Sequence, residues 1–368
     1  MRTILIIMTI CISLIAGKVF AQEAEQIQIA ILLDTSSSMD GLISQAKANL
    51  WKIVNETAKA KKGGKTPKLE VALFEYGNDG LSSETGFIRL VVPLTGDLDR
   101  VSEELFKLTT NGGSEYCGMV IDRAVKTLKW TSKNDILKVI YIAGNEPFSQ
   151  GSVDYKDSEK KALSRGIVIN TIYCGGYQAG ISEGWKDGAE RGDGSYISID
   201  QDQKIADIHA PQDDEILALN QKLNTTYIAF GSAGKSKKER QAQQDANSAG
   251  MANEAAVQRA MAKSAPAYSN SEWDLVDASK DDKKAVDKLK EDELPAEMKK
   301  LSPAERSVYV EKKRKEREEI QLKIKKLSAE REKYIEKEMK KGSEENTLDS
   351  AIIQSIKVQA KKKGYTVE

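Results

Sequence analysis

The chain has 368 residues, 40% of them hydrophobic and 30% charged, with 56 basic residues against 56 acidic. This is enough apolar material for a sizeable core and more charge than one globular domain uses, so a domain with a polar appendage is expected. Zero formal charge excludes a global field drawing the protein to nucleic acid or an anionic membrane, and any charge effect has to be local.

The first residues read MRTILIIMTICISLIAGKVFAQEAEQ, with Arg2, an apolar stretch over 4–16 and small residues before Gln22. That is the layout of a secretory signal peptide, residues 1–21, cleaved after Ala21. The stretch is shorter than the roughly 20 apolar residues a bilayer core demands. Cys11 lacks the small residues that precede a lipidated cysteine. No later segment is long and apolar enough to span, so the mature chain is expected to be exported, periplasmic or secreted, without a stable membrane span. Two cysteines remain, Cys117 and Cys174. Cysteines left in an exported chain are more often paired than free, and a Cys117–Cys174 disulfide is expected near the sheet's carboxyl edge.

From Gln26 onward, short β-branched runs alternate with amphipathic stretches, the pattern of a doubly wound, mostly parallel α/β sheet. Six strands are predicted, over 27–33, 69–76, 87–94, 137–143, 167–174 and 195–199. Between the first two, Leu42, Ile43, Ala46, Leu50, Ile53 and Val54 share one helical face. Met119, Val120, Ala124 and Leu128 do the same before the fourth strand. The segment GNDGLSSETG between the second and third strands is too short for a crossover helix, so that pair should be antiparallel, with the third strand at an edge.

The α/β domain is expected over 26–232, followed by a helical linker over 233–285 and a charged helical region over 286–368. Residues 233–265 are rich in Ala and Gln and poor in β-branched residues. Farther on, Ile320, Ile324, Leu327, Tyr334, Ile335 and Met339 make a thin helical stripe that Arg317 and Arg331 interrupt, which argues against a coiled coil and for a solvated helix resting on the main domain. Ile352, Ile353, Ile356 and Val358 mark a better amphipathic helix that should dock. Everything after Gly231 is expected to be removable without unfolding the α/β domain.

Chemistry concentrates where the first strand ends, at AILLDTSSSM. In an open α/β sheet ligands gather beyond the carboxyl ends of the strands. Asp34, Ser36 and Ser38 alternate in that loop, so their oxygens can converge on a small hard cation, which seeks several oxygen ligands. The same residue types also cap helices, and the five residues alone do not separate the two readings.

The DTSSS loop, the LFEYGN strand, the VVPLTGDLDRVSEELFKLTTNGG segment and the glycine turn before CGMVIDRAVKTL resemble the von Willebrand factor type A (vWA) domain over about residues 26–200. In that family the Asp-x-Ser-x-Ser loop opens a metal-ion-dependent adhesion site (MIDAS). The resemblance implies that Ser36 and Ser38 bind Mg²⁺, with Mn²⁺ or Ca²⁺ as alternatives, and that Asp34 acts largely through a water. The second loop, NGGSEYCG, offers Glu115 or Ser114, of which Glu115 brings charge. The third loop departs from the family: YIAGNEPFSQ has Ala143 where an aspartate is usual, leaving Asn145 and Glu146 as substitutes. IAGNEPF, NGGSEYCG, SEWDLVDA and QAKKKGY also resemble a group of exported bacterial proteins with this domain and a helical C-terminal extension.

Enzymatic readings find less support. AFGSAGKS, over 229–236, fits a relaxed phosphate-loop pattern but follows no central strand. No Gly-x-Ser-x-Gly is present, and His209, the sole histidine, sits in a polar loop. One histidine and two distant cysteines make no zinc site. Basic runs lack interleaved aromatics, so single-stranded nucleic acid has little to stack on. The expected function is divalent-cation-assisted binding of an unidentified protein ligand, not catalysis, with a partner carboxylate completing the Mg²⁺. The alternative is a scaffold that binds through its C-terminal helices and keeps a vestigial metal site.

Overall fold

The aliphatic runs build the sheet. The computed structural model describes residues 25–200, 202, 208–339 and 348–367, and the expected signal peptide lies outside them. Strands are β1 (Gln26–Asp34), β2 (Ala60–Lys61), β3 (Lys68–Tyr76), β4 (Ile88–Thr95), β5 (Leu137–Gly144), β6 (Ile167–Cys174), β7 (Tyr196–Ile199) and β8 (Thr366–Val367). Helices α1 (Asp40–Ala58), α2 (Leu98–Lys107), α3 (Cys117–Thr127), α4 (Tyr155–Ser164), α5 (Tyr177–Ser182) and α6 (Trp185–Arg191) are interleaved with them. Six strands form one sheet in the order β4-β3-β1-β5-β6-β7. All pairs in it are parallel except β3 with β4 at one edge, as the short connection between them requires.

Alternation along β1 assigns the two faces. Ala30 and Leu32 point into a cluster with Val120 and Ile121 of α3, Ala162 of α4 and Trp185 of α6. Ile27, Ile29 and Leu33 point the other way, into a cluster with α1 and α2. Each thiol belongs to a different cluster, Cys117 to the first and Cys174 to the second. Both are buried and unbonded, which corrects the expected Cys117–Cys174 disulfide: the sheet lies between the two packing layers. Burial pushes both thiols well above the ordinary range, so neither is a ready nucleophile.

The rest of the chain is helical: α7 (Asp213–Asn224), α8 (Gly234–Met251), α9 (Asn253–Ser264), α10 (Leu275–Asp281), α11 (Pro303–Met339) and α12 (Leu348–Lys362). These helices are core. On α1 the predicted face is buried, and so are Gln45, Asn49 and Trp51, because a second layer covers the helix from behind. Arg259 of α9 lies over the Trp51 ring at 4.5 Å, Tyr268 meets it edge-on at 6.4 Å, and Asn55 donates to the Gln258 carbonyl at 2.8 Å.

Beside α1, helix α12 covers the far half of the same sheet face. Leu348, Ala351, Ile352, Ile356 and Ala360 are buried. Ser355 donates to the Tyr141 hydroxyl at 2.9 Å, and the Gln359 and Asn170 amides pair reciprocally at 2.6 and 3.1 Å. Val358, expected on the docking face, is half exposed, since the row through Ile352, Ile356 and Ala360 faces the sheet. The chain then closes on itself, β8 pairing with β2 and Tyr365 donating to the Gln26 carbonyl at 2.8 Å.

Helix α11 corrects a further expectation. Its fully buried positions among the described side chains are Val310, Arg317, Ile324 and Arg331, spaced by seven, so the arginines belong to the seam they were expected to interrupt. Arg317 binds Asp274 at 2.6 Å and Asp277 at 3.1 Å, donates to Thr226 and lies over the Tyr227 ring at 4.1 Å. Arg331 binds Asp213 at 2.7 Å and also Glu254. A guanidinium that meets every donor with an acceptor can be buried, whereas the same charge left alone cannot.

Two outcomes follow from this packing. A chain ending at Ser232 uncovers Trp51 and the β5–β6 face, so it should be insoluble or lose cooperative unfolding in a thermal scan. Arg317→Ala strands Asp274 in the interior and should lower unfolding free energy by about 3–5 kcal/mol, measured by urea titration of the full chain.

Candidate metal centre

Strand β1 ends on Asp34, fully buried between β3 and β5. Its Oδ1 accepts from the Ser36 backbone N–H at 2.8 Å, which folds the loop back on itself. Neither Ser36 nor Met39 supplies a side-chain cap to the helices that follow, so the capping reading does not account for the motif. Ser36 and Ser38 hydroxyls lie 3.2 Å apart, and the Asn145 amide donates to Ser38 at 3.2 Å. Ser37 turns the other way, accepting from Gly112 N–H at 2.6 Å and donating its own N–H to the Gly112 carbonyl. The middle serine therefore ties the first loop to the second.

Glu115 arrives from that second loop. Only a glycine at position 77, with φ +80, admits it: a Cβ there would stand 2.8 Å from both Asp34 Oδ1 and Glu115 Cγ. Its backbone N–H donates to Gln150, and the carboxylate is buried. In the third loop, Ala143 leaves its carbonyl to accept from the Tyr76 hydroxyl at 3.0 Å. The next residue, Gly144, leaves room for Asp34 Oδ2, which a Cβ would meet at 3.0 Å. Trp185 Nε1 holds the Glu146 carbonyl at 2.8 Å.

Asp34, Ser36, Ser38, Glu115 and Asn145 are thus brought together, with Glu146 near enough for its charge to act on both carboxylates. Ser114 is half-buried and forms no hydrogen bond to the cluster. Sequence reasoning did not single out Gly77, Ser37, Gln150 or Trp185. A glycine directly after a strand was the one available signal.

Burial and like charge make both carboxylates hold their protons more tightly than usual. Burial, and then the Glu146 charge, raises Asp34 to about 7, against the Ser36 N–H that lowers it. Burial, followed by the charges of Asp34 and Glu146, raises Glu115 to about 7. Asp34 Oδ2 is buried without any hydrogen-bond partner. An orphaned carboxylate oxygen among hydroxyls and a second carboxylate is a donor set that suits a hard divalent cation. Among the described residues, no three His, Cys, Asp or Glu side chains are grouped to hold a metal, so any ligation here would have to draw on hydroxyl and amide oxygens.

The other candidates resolve simply. Residues 229–236 follow α7 and not a strand of the sheet, which leaves no phosphate-loop geometry. His209 is exposed, with Nδ1 3.6 Å from Asp213.

Comparisons with known proteins bear on the fold. No family model matches the chain, and no curated protein is similar to it. Similar solved structures include the conserved hypothetical protein BatB from Bacteroides thetaiotaomicron, 15% identical over 47% of this chain and 90% of that one, TM-score 0.36. The SpRpn10 VWA domain is 18% identical over 48% and 88%, TM-score 0.36. Proximal thread matrix protein 1 from the mussel byssus, solved with a zinc-occupied MIDAS motif, is 16% identical over 48% of this chain and 42% of that one, TM-score 0.35. The sheet order β4-β3-β1-β5-β6-β7, with Asp-x-Ser-x-Ser at the carboxyl edge of the central strand, is the doubly wound α/β fold that the vWA resemblance implies.

Protonation should be visible in stability. Asp34 and Glu115 hold their protons more tightly folded than unfolded, so in chelator the native state binds more protons between about pH 4 and pH 7 and stability falls as pH rises through that window. For buried Asp34 the loss is on the order of 4 kcal/mol. Asp34→Asn should flatten the profile in pH-dependent urea titrations; an unchanged slope would show that the cluster does not titrate there.

Proposed function

We propose that this is an exported binding protein, not an enzyme, which captures a protein ligand through a divalent cation at the carboxyl edge of its sheet. The observation that carries this reading is the buried Asp34 carboxylate: its Oδ2 has no hydrogen-bond partner among the described residues, while its Oδ1 takes the Ser36 N–H and lies against Gly77 together with Glu115. As the vWA resemblance implies, Ser36 and Ser38 would ligate directly and Asp34 largely through water, with Glu115 supplying the second anion. Mg²⁺ fits the oxygen set; Mn²⁺ and Ca²⁺ are tested with it. A bound dication would offset the mutual repulsion of the carboxylates and leave positions for a partner's carboxylate.

Loss of an aspartate at Ala143 favours the rival reading, a scaffold with a vestigial site. Against that, Asn145 reaches Ser38 from the same loop and the Glu146 charge reaches Asp34. The C-terminal helices also turn their main apolar rows to the core, which leaves a scaffold their charged faces with the scattered Val308, Leu322 and Val358. Among the described residues no helix is long and apolar enough to cross a membrane.

Calorimetry and thermal scans with Mg²⁺, Mn²⁺ and Ca²⁺ test the reading. Saturating metal should raise the melting temperature of the wild type, by about 2.7 kcal/mol of stabilisation at a hundredfold excess over Kd. Asp34→Ala and Ser36→Ala should abolish that response while remaining folded, and a partner captured from cell envelopes should elute with EDTA. No binding at millimolar metal leaves the scaffold reading in its place.

A further inference from the structure

At the opposite end of the sheet, two lysine-rich segments far apart in sequence are brought together. Residues 59–65 read KAKKGGK and residues 357–364 read KVQAKKKG, four lysines in each and no arginine. Pairing of β2 with β8 joins them, Ala60 opposite Val367 and Lys61 opposite Thr366. The first segment ends in a tight turn in which Lys62 and Lys65 exchange backbone hydrogen bonds. Gly63 and Gly64 take φ +56 and +76, with nothing within 4 Å of either Cβ position, so the turn stands out into open space.

Carboxylates at this edge only partly balance the lysines. Lys62 pairs with Glu25 and Asp135, Lys59 with Glu56 and Glu332, Lys357 again with Glu56, and Lys362 with Asp193 at 3.4 Å. Five carboxylates among the described residues pair with lysines of this edge, and the exposed Lys65 and Lys361 have no carboxylate partner among the described residues. The first described residue, Glu25, belongs to this edge through its 3.3 Å pair with Lys62.

We infer that this lysine edge is a docking surface for an anionic phospholipid bilayer. Lysines act as hydrated point charges suited to a diffuse field of headgroups, whereas a discrete phosphate or nucleic-acid site draws on the arginine fork, absent from both segments. A projecting turn, with no cleft around it, matches a flat partner. Chain direction agrees: β1 starts at this edge and, rising about 3.3 Å per residue from Gln26 to Asp34, puts Asp34 about 26 Å away. A molecule seated on its lysines holds the carboxyl-edge loops away from the bilayer. The inference does not depend on those loops binding a cation.

The test is co-sedimentation of the mature chain from Gln22 with vesicles, either pure phosphatidylcholine or about one-third phosphatidylglycerol. The wild type should pellet with the anionic vesicles only, and lose binding between about 50 mM and about 0.5 M salt as the Debye length contracts. With each lysine near the surface worth about fivefold, replacing Lys61, Lys65, Lys361 and Lys362 together by Gln should lower partitioning roughly a hundredfold or more. Arginine at the same four positions should preserve binding, which separates charge from folding, and melting curves check all three proteins. Equal binding to neutral vesicles, undiminished binding of the glutamine variant, or binding to soluble polyglutamate but not to vesicles would each overturn the inference.

Discussion

The two-sided burial of α1 is the constraint on which the structure turns. A helix crossing from β1 to β3 needs one apolar face for the sheet, and α1 has it in Leu42, Ala46 and Leu50. It also carries Trp51, fully buried, on a side the sheet cannot reach. That ring needs a second layer, supplied by Arg259 and Tyr268. Once α9 is fixed there, α7 and α11 are fixed by it in turn, through the Arg331 pairs to Asp213 and Glu254. The C-terminal half of the chain is thus a continuation of the hydrophobic core.

This arrangement also solves a covering problem. An open sheet needs both faces shielded, and the connections among β5, β6 and β7 all fall on the side of α3, α4 and α6. The opposite face of β5 and β6 receives α12, well over a hundred residues later in the chain. Its polar pairs, Ser355 with Tyr141 and Gln359 with Asn170, are satisfied only in one register. Buried amides left unmatched cost about 1–3 kcal/mol each, so they fix the seating of the helix as firmly as its apolar row.

The carboxyl edge follows a different economy. Several buried polar atoms lack a partner among the described residues, both oxygens of Glu159 included, but at Asp34 the unpartnered oxygen belongs to a carboxylate that shares its site with the like charges of Glu115 and Glu146. Strain of that kind, held in place by a rigid sheet and by the Ser37–Gly112 tie, marks a site organised for something outside the chain.

Much of this was legible in the residues. Short β-branched runs located the six strands to within one residue at each end, the ten-residue link fixed the antiparallel pair, and Asp-x-Ser-x-Ser located the site, because an aliphatic run and a loop's oxygen spacing are local properties. Three readings that depended on distant parts of the chain failed. The cysteines looked fit to pair, yet a sheet lies between their packing layers. Arg317 and Arg331 looked like breaks in a seam because their acceptors, Asp274, Asp277, Asp213 and Glu254, are 40 to 118 residues away. Composition called the C-terminal half an appendage, since alanine, lysine and glutamate favour helix wherever they occur. The sequence by itself determined which segments are strands and helices and where the oxygen ligands cluster. Only the tertiary structure decided which helices are core, because burial depends on what another part of the chain brings to the same place.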